Sequence, residues 1–128
     1  MYPGLPSFPQ YDLAQSQLST GTSGKFVSGD MIFFQLDRRA EESDQTFFER
    51  TARWLNYVAE HSYPITLAVS LGTMKTLIEA PMLMTHSAFT PEQLAGYGIW
   101  KAGLRLAVGA EDANDIIADL DEALDKAA

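Results

Sequence analysis

The sequence predicts an α+β fold: a small, mostly antiparallel sheet with helices packed on one face. Two observations carry this reading. Two long segments place apolar residues three, four and seven apart, the spacing of a helix with one buried face. Between and around them lie three short apolar runs of strand length. The resulting order is helix, strand, long helix, strand, short helix, strand, helix, which suits a small sheet covered by helices. Strand order is left open at this level.

Taken in order, the first ten residues carry three prolines and a glycine and are expected to be extended or turn-like. Asp12 is placed to cap a short helix, DLAQSQLST, and GTSG then breaks the chain. MIFFQL (Met31–Leu36) reads as a strand, and the charge-dense DRRAEESD that follows reads as a solvated loop. Ser43 or Asp44 can cap a helix running over Asp44–Glu60. Phe47, Phe48, Ala52, Leu55, Val58 and Ala59 form its apolar face, widened by Trp54 and Tyr57. Pro64 stops it near His61. ITLAVSL (Ile65–Leu71) reads as a buried strand, and Met84–Phe89 as irregular chain between Pro81 and Pro91. Thr90 followed by Pro91 opens a short helix. LRLAV (Leu104–Val108) reads as a strand with Arg105 and Ala107 on one face. Ala113, Ile116, Ile117, Leu120, Ala123 and Leu124 make the apolar stripe of a last helix over about Asp112–Lys126.

Composition narrows the function. A chain of 128 residues fits one domain, and 46% hydrophobic with 20% charged residues reads as globular. The net charge of −8 would repel phosphate backbones and anionic headgroups, so neither nucleic acid nor membrane is expected as a partner. The absence of cysteine excludes disulfides and thiolate chemistry, and agrees with a cytoplasmic setting. The N-terminus has neither the basic nor the apolar region of a signal peptide. No metal site is expected: His61 and His86 lack ligand spacing, and Asp112, Asp115, Asp119 and Asp121 lack the pattern of a calcium loop. GTSG is not a phosphate loop.

Two residues stand out chemically. Arg105 is the one charge inside an apolar strand, where a guanidinium is costly unless it meets an anion; its planar fork suits a carboxylate. A strand arginine can equally be exposed or paired with a local Asp or Glu. Ser70 ends a strand and precedes Leu71-Gly72, where glycine permits a tight turn beside the hydroxyl. Together they suggest a carboxylate-recognition site.

Five segments then match, in order, the Cys/Met-metabolism family of pyridoxal-phosphate (PLP) enzymes: YPGLPSFPQYDLA, GDMIFFQL, SLGTMKTLIEAP, MTHSAFTPEQLAGYGI and GLRLAVGAEDANDIIADLDEAL. The chain resembles that family's C-terminal domain, of fold type I. The resemblance implies residues 1–25 as an interdomain segment with a short helix and 26–128 as the C-terminal substrate-carboxylate-binding domain. It assigns the substrate's α-carboxylate to Arg105, with Ser70 and Thr85 in the same pocket. It implies a parent reaction of β- or γ-elimination or γ-replacement, of the cystathionine or methionine lyase or synthase type. It also implies that the Schiff-base lysine, and the PLP-binding domain that carries it, would lie before Met1. Lys25, Lys75, Lys101 and Lys126 do not sit in the family's S-x-T-K context. No catalytic and no cofactor-binding residue is therefore expected here, nor PLP bound to this chain alone, nor activity in isolation. Expected partners are an amino-acid carboxylate and either a separate cofactor domain or further copies of the chain. The alternative is a non-catalytic oligomerisation or interaction module derived from such an enzyme, with Phe8, Tyr11, Phe33 and Trp100 as its exposed patch. Asp30 stands where the family has the second glycine of GGM, and Lys75 where many lyases have Glu, which leaves the particular reaction open.

Overall fold

In the computed structural model, which describes residues 2–18, 21–22, 24–85, 88–97 and 101–127, nine elements follow one another. They are α1 (Tyr11–Gln17), β1 (Met31–Phe34), α2 (Asp44–His61), β2 (Ile65–Leu67), β3 (Thr76–Glu79), α3 (Pro81–Met84), α4 (Pro91–Gly96), β4 (Leu104–Ala107) and α5 (Ala113–Ala127). The strands form one sheet in the order β1-β4-β3-β2. β4 runs antiparallel to both β1 and β3, and β2 runs parallel to β3. This is the α+β, mostly antiparallel arrangement that the sequence predicts.

Alternation along the strands sorts the two faces of the sheet. Ile32, Phe34, Ile78, Leu104 and Leu106 join Trp54, Leu55 and Val58 of α2 and Ile116 and Ala123 of α5 in one core. Trp54, Ile65, Ile78, Leu104 and Val58 are almost wholly shielded from water, and each such apolar side chain contributes about 1.5–3 kcal/mol. The other face carries Phe33, Arg105 and Glu79, which the strand register sets side by side.

Helix α2 begins as its sequence predicts. The Ser43 hydroxyl accepts a hydrogen bond from the Thr46 N–H at 3.1 Å, satisfying one donor of the first turn. Arg50, buried in the middle of α2, donates from Nε and Nη2 to the two carboxylate oxygens of Glu42 at 2.8 Å each. Its Nη2 also donates to the Asp37 carbonyl at 2.8 Å, so one side chain ties the loop after β1 to the helix.

Several boundaries differ from expectation. Asp12 lies within the first turn of α1 rather than capping it; Gln10 precedes that helix without a side-chain cap. The strand expected over 65–71 ends at Leu67, because the backbone leaves the sheet at Val69 and Ser70 to meet Arg105. β3 was not anticipated, yet it is an interior strand. Pro81–Met84 forms a short helix that was not expected; it overlaps the segment expected to be irregular, Met84–Phe89, only at Met84, and His86 and Ser87 lie outside the described residues. Of the patch expected to be exposed, Phe8, Tyr11 and Phe33 are half-buried, and Trp100 lies outside the described residues.

Candidate functional site

Arg105 sits at the centre of the sheet's second face, on β4, opposite Phe33 of β1 and Glu79 of β3. Its neighbours Leu104 and Leu106 point into the core on the other side. Strand alternation therefore forces the guanidinium onto the face away from α2 and α5.

The guanidinium already holds a carboxylate. Arg105 Nη1 lies 2.9 Å from Glu79 Oε1, in an ion pair whose side chains are 18% and 0% exposed. A carboxylate so fully withdrawn from water needs a compensating charge, and Arg105 supplies it. Arg105 Nη2 donates to the carbonyls of Val69 and Ser70, each at 3.0 Å. Arg105 Nε and Glu79 Oε2 are buried and have no hydrogen-bond partner.

The structure thus brings Ser70 and Arg105 together, as expected, but through the serine carbonyl and not the hydroxyl. Thr85, at the end of α3, also reaches the cluster: its Oγ1 is 3.5 Å from Glu79 Oε1 and 3.2 Å from the Pro81 carbonyl. Glu79 was not singled out from the sequence. The available signal was the same one that marked Arg105: a lone charge in an apolar run, here TLIEA.

The segment that meets Arg105 is the connection between two parallel strands. Residues 68–75 return the chain from the end of β2 to the start of β3, with fewer residues than the roughly dozen usual for a parallel crossover. The Ala68 N–H continues the ladder by donating to the Ile78 carbonyl at 3.0 Å. The next two carbonyls turn to Arg105, and Gly72 then takes a positive φ of 67°, where a side chain would be strained. At its far end the connection is pinned. The Ala110 N–H donates to the Met74 carbonyl at 2.8 Å. A Cβ on Gly109 would stand 2.5 Å from both the Met74 carbonyl oxygen and the Lys75 carbonyl carbon, so the two backbones touch there. Glu111 accepts from the Thr76 N–H and hydroxyl, and the backbone N–H in particular lowers its carboxyl from the ordinary value.

The donor set does not fit PLP. Lys25, Lys75, Lys101 and Lys126 are all exposed, and Lys101 lies over the Phe48 ring at 4.5 Å. Among the described residues no lysine pairs with Arg105 or Glu79, and Asp44, a carboxylate that shares a cleft with Lys101 and Phe48, is engaged by Arg38. Nor do the described residues arrange three or more His, Asp or Glu to hold a metal ion, and no helix among them is long and apolar enough to cross a membrane.

Comparison with known proteins agrees with the fold. Residues 1–125 match the Cys/Met metabolism PLP-dependent enzyme family. The chain is 44% identical to the L-methionine gamma-lyase of Treponema denticola over 98% of its own length and 26% of that enzyme's. It is 38% identical to an O-succinylhomoserine sulfhydrylase of Mycobacterium tuberculosis, over 96% of this chain and 27% of the relative. It superimposes with a TM-score of 0.73, at 32% identity, on the crystal structure of cystathionine gamma synthase from Xanthomonas oryzae pv. oryzae in complex with cystathionine. That match covers 98% of this chain and 28% of the other. The chain therefore spans about a quarter of the length of these relatives.

Proposed function

The chain belongs to the Cys/Met-metabolism PLP-dependent enzymes, and on that premise we propose that it is their C-terminal, substrate-carboxylate-binding domain. Residues 26–128 are this domain, and 1–25 are the segment that leads into it. Its task is to anchor the α-carboxylate of an amino-acid substrate on Arg105, with the Ser70 segment and Thr85 beside it. The observation that carries this reading is that Arg105 stands on a sheet face with a carboxylate already in its grip. An ammonium group would be repelled there, whereas a second carboxylate suits the guanidinium donors that Glu79 does not hold.

The reaction served is elimination or replacement at the β or γ carbon of a sulfur amino acid or activated homoserine. PLP supplies the electron sink in this family. This chain's part is to fix the amino acid in one orientation. The cofactor and its lysine are contributed by polypeptide other than the residues present here, in a cytoplasmic assembly. The isolated chain is accordingly inactive. Mixed with PLP, the purified chain is expected to develop no stoichiometric lysine-linked absorbance band; a band that vanishes when one particular lysine is replaced would overturn this.

A chimera tests the anchor directly. This chain would replace the matching quarter of the Treponema denticola L-methionine gamma-lyase. Arg105→Lys in that chimera keeps the charge but loses the fork, and should weaken substrate affinity by about 1.5–3 kcal/mol, mostly through KM. Unchanged kinetics would refute the anchor.

A second reading is favoured by the exposed apolar side chains Tyr63, Val69, Leu71, Met74 and Tyr97, which are 93%, 51%, 53%, 82% and 73% accessible. They suit a non-catalytic association module, covering itself with further copies of the chain. Sedimentation of the purified chain separates the two: a stable oligomer that excludes any cofactor domain supports the module.

A further inference from the structure

An arginine grips a carboxylate on two N–H groups in one of two ways: end-on through Nη1 and Nη2, or side-on through Nε and Nη2. Both grips need Nη2. In this structure Arg105 Nη2 donates to two acceptors, the Val69 and Ser70 carbonyls, each at 3.0 Å. Nη1 is held by Glu79, and Nε is buried without a partner. The anchor is therefore closed by its own chain, with one half of the side-on fork, Nε, left unused.

We infer that the Val69–Ser70 segment is a backbone latch over Arg105: a substrate carboxylate takes Nε and Nη2 only when these two carbonyls withdraw, while Glu79 keeps its hold on Nη1. This rests on the reading of Arg105 as the carboxylate anchor and adds how that site opens. The two restraints differ in kind. Glu79 is a wholly buried anion on an interior strand, and moving it would strand a charge away from water. The carbonyls are neutral and belong to a segment whose residues 69–75 are all exposed. Water can satisfy them once they leave. Gly72, at φ 67°, lies just beyond them, and the far end of the connection is fastened by the Ala110–Met74 hydrogen bond. Motion is thus confined to the part of the connection that covers the fork. Once the latch opens, Arg105 offers the incoming carboxylate two parallel donors while Glu79 fixes the plane of the guanidinium.

The test is an NMR titration of the isotope-labelled chain with sodium acetate, against sodium chloride at matched ionic strength. The Arg105 Nε–H and the backbone amides of Val69, Ser70 and Leu71 should shift along one saturation curve. The amides of Ile78 and Glu79 should hold still, and Arg105→Lys should abolish the response of residues 69–71. If the Arg105 Nε–H saturates while residues 69–71 do not respond, the latch is wrong and the anchor stands. If acetate does no more than chloride at either place, the anchor reading falls and the latch with it. A response of residues 69–71 that survives in a folded Arg105→Lys variant also overturns the latch.

Discussion

Glu79 and Arg105 are placed opposite each other by strand register, and each makes the other's position tolerable. Glu79 has no access to water, so removing its partner leaves a buried charge, and removing Glu79 leaves a guanidinium with buried donors to satisfy. Glu79→Ala should destabilise the chain by about 3–5 kcal/mol in urea unfolding, the usual cost of breaking a buried pair. Replacing both residues by apolar ones should cost markedly less than the sum of the single changes; strict additivity would show that the pair is not coupled. Half of this pair was legible in the sequence. Arg105 stood out because LRLAV is otherwise apolar, but Glu79 closes a short run beside Pro81 and was not singled out. What decides its burial is a residue on another strand, and no local pattern reports that.

At the scale of elements, the two amphipathic helices were readable because 3.6-residue periodicity is a local property. The strand β3 was not. TLIE is only four residues long and has polar residues at both ends. Both are buried because they find distant partners: Thr76 donates its hydroxyl to Glu111 at 2.8 Å, and Glu79 meets Arg105. The stripe on α5 was also read too broadly. Ile116 and Ala123 are buried, whereas Ile117 and Leu124 are 55% and 43% exposed and Leu120 is half-buried. Ile116→Ala should therefore cost about 2–5 kcal/mol, and Leu120→Ala clearly less, in thermal or urea denaturation. Equal losses would mean that α5 presents a different face to the core. Ser43→Ala should cost about 0.5–2 kcal/mol by removing the cap of α2, with a loss of helical signal confined to that helix's first turn.

For the molecule as a whole, the carboxylates with resolved shifts all point the same way. The Arg50 hydrogen bond holds Glu42 at about 2, against an ordinary value of 4.5. Asp44 beside Arg38 and Glu111 on the Thr76 N–H are lowered as well. A carboxylate whose value drops on folding stabilises the fold above its ordinary value, and that contribution is lost as pH falls towards the folded one. Stability should thus decline between about pH 4.5 and 2, and Glu42→Gln should flatten that decline while lowering stability at neutral pH. A decline of unchanged steepness in the variant would remove Glu42 from the account. The net charge of −8 at neutral pH is neutralised by about pH 4.5, so protonation relieves repulsion only above that value; below it, growing positive charge adds to the decline.

The backbone contact at Gly109 reaches further than its chemistry suggests. A saturation-mutagenesis map of this chain should show position 109 as intolerant as any in the core, although it carries no functional group. Any side chain there would displace the backbone of Met74 and Lys75 and shift the base of the connection that covers Arg105. Alanine at 109 should therefore look like a loss of substrate recognition as well as of folding. By contrast Met74, a residue 82% exposed, should accept almost any replacement. The intolerant and the permissive position would then be neighbours in space, distinguished only by which of them offers its backbone to the other.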